Sequence, residues 1–136
     1  MPEDPATAGY KKSVQKCVDK FNDDAAKTHK DAKPVLDALA SGTKKNDLTK
    51  DLQKRLKDML DEMDKHAATL DKQVTALPAI PNADPKKAKD IQKELEGIIF
   101  KGIKVNDSLI IKPSLDFDFK KMKVKSVEIQ FQIHFG

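Results

Sequence analysis

Residues 98–119, IIFKGIKVNDSLIIKPSLDFDF, hold the change of period that decides the fold. Up to Phe100 the apolar side chains recur at threes and fours, as in Ile91, Leu95, Ile98 and Ile99. Beyond Gly102 they fall on alternate positions: Ile103, Val105, Leu109, Ile111, Leu115, Phe117 and Phe119. The first spacing puts side chains on one face of a helix and the second on one face of a strand. The chain is therefore expected to be α+β, with helices first and a small antiparallel β-sheet of three to four strands after them.

Within this stretch, Asn106 and Asp107 tolerate the backbone of a tight turn, and Pro113 marks a strand break, a bulge or an edge. The last segment places Met122 and Val124 on even positions and Val127, Ile129, Phe131, Ile133 and Phe135 on odd ones. One extra residue moves every later side chain to the other face of a sheet, so the parity change at Ser126 requires a bulge, or a turn at Lys125 and Ser126.

Upstream, the three prolines of Leu77 to Pro85 break the chain, and Asp84 before Pro85 is a cap followed by a first-turn proline. Ala88, Ile91, Leu95, Ile98 and Ile99 then form a short third helix, closed by Gly97 or Gly102. Before the break, a helix over about 47–77 carries Leu48, Leu52, Leu56, Met59, Leu60, Met63, Ala67, Leu70, Val74 and Leu77. Eleven-residue repeats within it, such as Leu52 to Met63 to Val74, fit a nearly straight helix. An earlier helix over about 9–29 carries Tyr10, Val14, Cys17, Val18, Phe21 and Ala25. Pro34 either kinks this helix or opens a second short one. A short polar connection after Gly42, with Asn46 or Asp47 as cap, predicts an N-terminal antiparallel helical hairpin. The expected organisation is a flexible tail over 1–8, a hairpin lobe over 9–80, and a helix plus sheet over 81–136 that folds with the hairpin as one unit.

The length of 136 residues suits one core. A net charge of +4 divides unevenly: residues 1–80 carry 15 basic against 14 acidic side chains, and 81–136 carry 11 against 8. Arg55 is the only arginine among 26 basic residues, and bidentate phosphate or base recognition leans on arginine, which argues against nucleic acid as a partner. The lone Cys17 allows no intrachain disulfide and points to a reducing compartment. No basic leader with an apolar run and no 18-residue apolar stretch is present, so a cytoplasmic location is expected, with leaderless export as the alternative.

Little in the chain resembles catalytic apparatus. His29, His66 and His134 lie in separate elements without ligand-spaced partners, so no metal is expected. Asp116 and Asp118 alternate on a strand at about 7 Å, a spacing open to acid–base work but better read as a solvated face. Cys17 shares the helical stripe of Val14 and Phe21 and reads as a small core residue rather than a nucleophile. Five scattered glycines give no phosphate-cradling loop. No cofactor, no catalytic residue and no small-molecule substrate follow from the sequence.

The features that remain concern association. The final strand, Val127, Ile129, Phe131, Ile133 and Phe135, alternates without proline or glycine and must be covered. The stripe of Leu52, Leu56, Met59, Met63 and Leu70 is wider than the first helix covers. Lys120, Lys121, Lys123 and Lys125 form a basic run that suits a solvated edge, or peripheral contact with an anionic membrane surface or phosphates. The expected function is a non-enzymatic structural or protein–protein interaction subunit, its partner another protein or the chain itself in a homo-oligomer, using the helix face and the last strand. The alternatives are an immunity, inhibitor or chaperone-like accessory protein of a secretion or phage-like machine, and a membrane- or polyanion-binding module acting through Lys120 to Lys125.

Overall fold

A computed structural model describes residues 4–103 and 108–133. It is an α+β fold of four helices and a two-stranded antiparallel sheet: α1 (Pro5–Asp31), α2 (Lys33–Ala40), α3 (Lys50–Thr75), α4 (Ala88–Gly102), β1 (Leu109–Asp118) and β2 (Lys123–Ile133). Short 3-10 turns at Lys45–Asp47 and Pro85–Lys87 precede α3 and α4.

The expected tail is corrected at its end. Asp4 accepts the Thr7 N–H through its side chain, Pro5 fills the first turn, and Thr7 is buried, so α1 begins inside the segment assigned to the tail. Aspartate before proline is the same start signal that Asp84 and Pro85 carry, where Asp84 accepts the Lys86 N–H. Pro34 does open a separate helix: Ala32 leaves helical geometry between α1 and α2, and Pro34 sits in the first turn of α2. Gly42, at φ +90°, ends that helix in the left-handed region where side chains are strained. The cap of α3 is Thr49 rather than Asn46 or Asp47, its hydroxyl accepting the Leu52 N–H.

The long helices pack through α1, which lies against both α3 and α4. Thr28 meets His66 of α3, Arg55 reaches the Asp31 carbonyl, Lys11 pairs with Glu94 of α4, and the Asn22 amide donates to the Gly102 carbonyl at 2.6 Å. Gly102 allows this approach, since a Cβ there would stand 2.9 Å from Val18 Cγ1. The sheet rests on α3 through β2 and on α4 through β1. One cluster of buried side chains, from Tyr10 and Val14 through Met63, Leu70, Leu95 and Ile99 to Leu109, Val124 and Val127, joins every layer. A lone hairpin is marginal in water, so this burial against helices holds the sheet.

The three to four strands expected from the sequence reduce to two among the described residues, because neither Pro113 nor Ser126 interrupts pairing. Pro113 pairs with Ile129 in mid-strand. The Val127 N–H donates to Asp71 Oδ1 at 2.8 Å and so points away from β1. Antiparallel pairs alternate, which makes Leu115↔Val127 and Pro113↔Ile129 pairs without mutual hydrogen bonds. The N–H that proline lacks would thus face the outer edge of β1, and no ladder bond is lost. At the parity change, Asp116 pairs with Ser126 but Phe117 with Val124, leaving Lys125 as the extra residue of a bulge. The bulge keeps Met122, Val124, Val127 and Ile129 all buried on one face. The turn expected at Asn106 and Asp107 lies outside the described residues.

Candidate functional site

α3 and β2 run along each other for most of their length. At one end Asp71 holds the Val127 N–H; at the other, Leu56 and Leu60 stand beside Phe131 and Ile133. At that second end lies a groove of about 730 Å³ with Leu48, Leu56, Leu60, Phe131 and Ile133 as its apolar lining and Lys45, Lys57 and Asp61 among its polar neighbours. Sequence spacing explains the position: Leu48 lies just before the Thr49 cap, outside the helix, and Leu60 lies one residue beyond the buried Met59, at the margin of the helical stripe.

The residues expected to associate divide between core and groove. Val127 and Ile129 are buried in the chain's own core, Phe131 and Ile133 are half-buried at the groove, and Phe135 lies outside the described residues. On α3, Leu56, Met59, Met63 and Leu70 are buried against the chain itself and Leu52 is half-buried. The width of that stripe is accounted for by β2 together with α1.

The basic run does not form one extended face. Lys120 and Lys121 stand in the turn between the strands, Lys123 begins β2 and Lys125 is the bulge residue. Asp118 organises the turn: its Oδ1 accepts the N–H groups of both Lys120 and Lys121 at 2.9 Å, and its carbonyl accepts the Met122 N–H at 2.8 Å. Those amides, Lys121 first, hold the Asp118 carboxyl below its ordinary value. Met122, at φ +55°, turns its side chain into the core while its carbonyl accepts the Ile80 N–H. Phe119, next to Lys120 in the turn, is left 46% exposed, its ring 6.1 Å from that of buried Phe117. The signal for this arrangement was an aspartate followed by exposed-type residues between two alternating runs, which is an Asx-turn signature.

A second, polar cleft of about 440 Å³ lies between α1 and α3, lined by Asp24, Lys27, Thr28, Arg55, Glu62 and His66 among others. Thr28 Oγ1 and His66 Nε2 are 2.7 Å apart. Among the described residues no side chain bonds the other ring nitrogen of His66, so the pair ties two helices together without the third group that would orient a base. His29 Nε2 is buried with no hydrogen-bond partner among the described residues, and burial, then the nearby His66, lowers its pKa below the ordinary 6.5. His134 lies outside the described residues.

Asp116 is exposed on the outer face of the sheet, and Asp118 is committed to the turn. Burial raises the Cys17 pKa, which keeps the thiol protonated and poorly nucleophilic. Among the described residues no three His, Cys, Asp or Glu side chains gather as metal ligands. No described helix is long and apolar enough to cross a membrane. Comparison with protein-family models, curated proteins and solved structures finds no match for this chain.

Proposed function

We propose that this chain is a non-enzymatic interaction subunit that docks a protein, in the first instance a second copy of itself, in the groove between the first turns of α3 and the end of β2. The observation that carries this reading is the groove itself: an apolar floor of Leu48, Leu56, Leu60, Phe131 and Ile133 with charged residues around it. An apolar centre within a polar rim is the anatomy of a protein interface.

Docking by side chains fits better than addition of a strand. The outer edge of β1 lacks a donor at Pro113. On β2, the Val124 N–H is taken by the Tyr10 hydroxyl and the Val127 N–H by Asp71. Both edges are thereby blunted.

Sedimentation velocity of the full chain from micromolar to millimolar concentration tests the reading. The wild type is expected to associate, and Leu60→Lys, at a half-buried groove position, to remain monomeric with an unchanged circular dichroism spectrum. A wild type that stays monomeric throughout overturns self-docking.

A further inference from the structure

The groove leaves the other end of the sheet unexplained. An exposed phenylalanine on a mobile loop would mean little, but Phe119 sits in a turn whose backbone is fixed at four points. Asp118 accepts from Lys120 and Lys121, Met122 is bonded to Asp118, and the Met122 carbonyl is tied to Ile80. This bonding directs Met122 inward and keeps Phe119 outward. In the same turn and the first residues of β2, Lys120, Lys121 and Lys125 are exposed, Lys123 is half-exposed, and residues 120–125 contain no acid. The nearest carboxylate, Asp118, is already engaged by backbone amides.

From this juxtaposition we propose that the β1–β2 turn is a docking tip for a bilayer surface rich in anionic phospholipid, with Phe119 entering the headgroup boundary and the four lysines facing the lipid phosphates. Charge complementarity supplies the long-range attraction, and one aromatic ring held outward supplies the apolar anchor. The shape of the tip favours a bilayer over single-stranded nucleic acid. A strand is held in a basic groove by several stacking rings, whereas here a single ring stands on a convex turn and no arginine accompanies it. The proposal is independent of the groove, since the two sites lie at opposite ends of β2.

The chain has no tryptophan, so Phe119→Trp provides a single fluorescent reporter at the tip. Mixed with vesicles of phosphatidylglycerol and phosphatidylcholine, this variant is expected to shift its emission to the blue and to be quenched by brominated acyl chains. Vesicles of phosphatidylcholine alone should leave it unchanged. In co-sedimentation of otherwise wild-type protein, Lys120→Gln and Lys121→Gln should each weaken binding about fivefold. Phe119→Ser should weaken it about tenfold. Added salt should reduce binding by the wild type. All these positions are exposed, and an unchanged thermal melt confirms the fold of each variant.

Equal binding to neutral vesicles, no binding at low salt, or binding that survives all three substitutions overturns the proposal. So does a single-stranded oligonucleotide that binds the wild type as tightly as the anionic vesicles and is lost with the same substitutions.

Discussion

Tyr10 does two things at once: its ring is buried in the core, and its hydroxyl accepts the Val124 N–H at 2.8 Å just before the bulge. Burial, the larger influence, raises its pKa, so the phenol stays neutral at ordinary pH. Removing the oxygen leaves a buried amide without its partner, which costs more than the bond itself contributes. Tyr10→Phe is therefore expected to lower stability by about 1 to 3 kcal/mol in urea unfolding, although it changes no apolar contact. Nothing in the spacing of the first helix distinguished Tyr10 from the other members of its stripe. Its partner lies 114 residues away. The same holds for Asp71, which looks like any exposed helix acid until β2 is laid beside it. By contrast, the sequence did reveal that Cys17 belongs to the helical stripe, and its thiol packs against the core.

At the scale of elements, the bulge is the feature on which the sheet depends. Lys125 is the residue of β2 without a counterpart in β1, and it lets Val124 and Val127 share a face although they stand three apart. Deleting Lys125 would restore simple pairing but force either Met122 and Val124 or Val127 and Ile129 into solvent. Each buried aliphatic side chain so displaced is worth about 1.5 to 3 kcal/mol, so the deletion should remove cooperative thermal unfolding of the sheet or lower the melting temperature sharply. Exchanging Lys125 for alanine, which keeps the residue count, should leave the melt nearly unchanged. The parity change was legible because the residue pattern records it directly. The number of strands was not, because a proline reads as a break unless the direction of its missing N–H is known, and that depends on pairing. Helix starts are legible where a side-chain cap precedes proline, as at Asp84, whereas at Asp4 the same signal is masked by a composition of two prolines and two acids typical of a tail.

Across the whole molecule, acid should act through histidine before it acts through carboxylates. The pKa of His29 is lowered in the fold by burial and by His66, so the unfolded chain takes up the proton more readily. That contribution is fully present above the unfolded value of 6.5 and is lost as pH falls below it towards the folded value. Asp24, stabilised as the anion chiefly by its bond to Lys20, and Asp118, by the amides of the turn, lose their contributions only as pH falls below 3.8 towards their folded values. The melting temperature should thus decline in two separate windows, and His29→Gln should remove the part of the upper one that this residue causes. The groove was only partly legible: Phe131 and Ile133 were visible as strand residues needing cover, but their meeting with Leu48, Leu56 and Leu60 across a groove is a tertiary property. The basic run is visible in the sequence as a lysine face, but the exposure of Phe119 is set by the turn and is not.

The bond between Tyr10 and Val124 also governs the order in which the chain can be completed. Bringing residues so far apart in sequence together costs loop-closure entropy, recovered only when the strand has found its place. The helices can collapse on one another earlier through nearer contacts such as Thr28 with His66. Until the strand arrives, VEIQFQIHF is an uncovered alternating segment of the kind that seeds fibres. Strand docking is therefore expected to compete with encounter between chains, the outcome decided by how long the last closure takes.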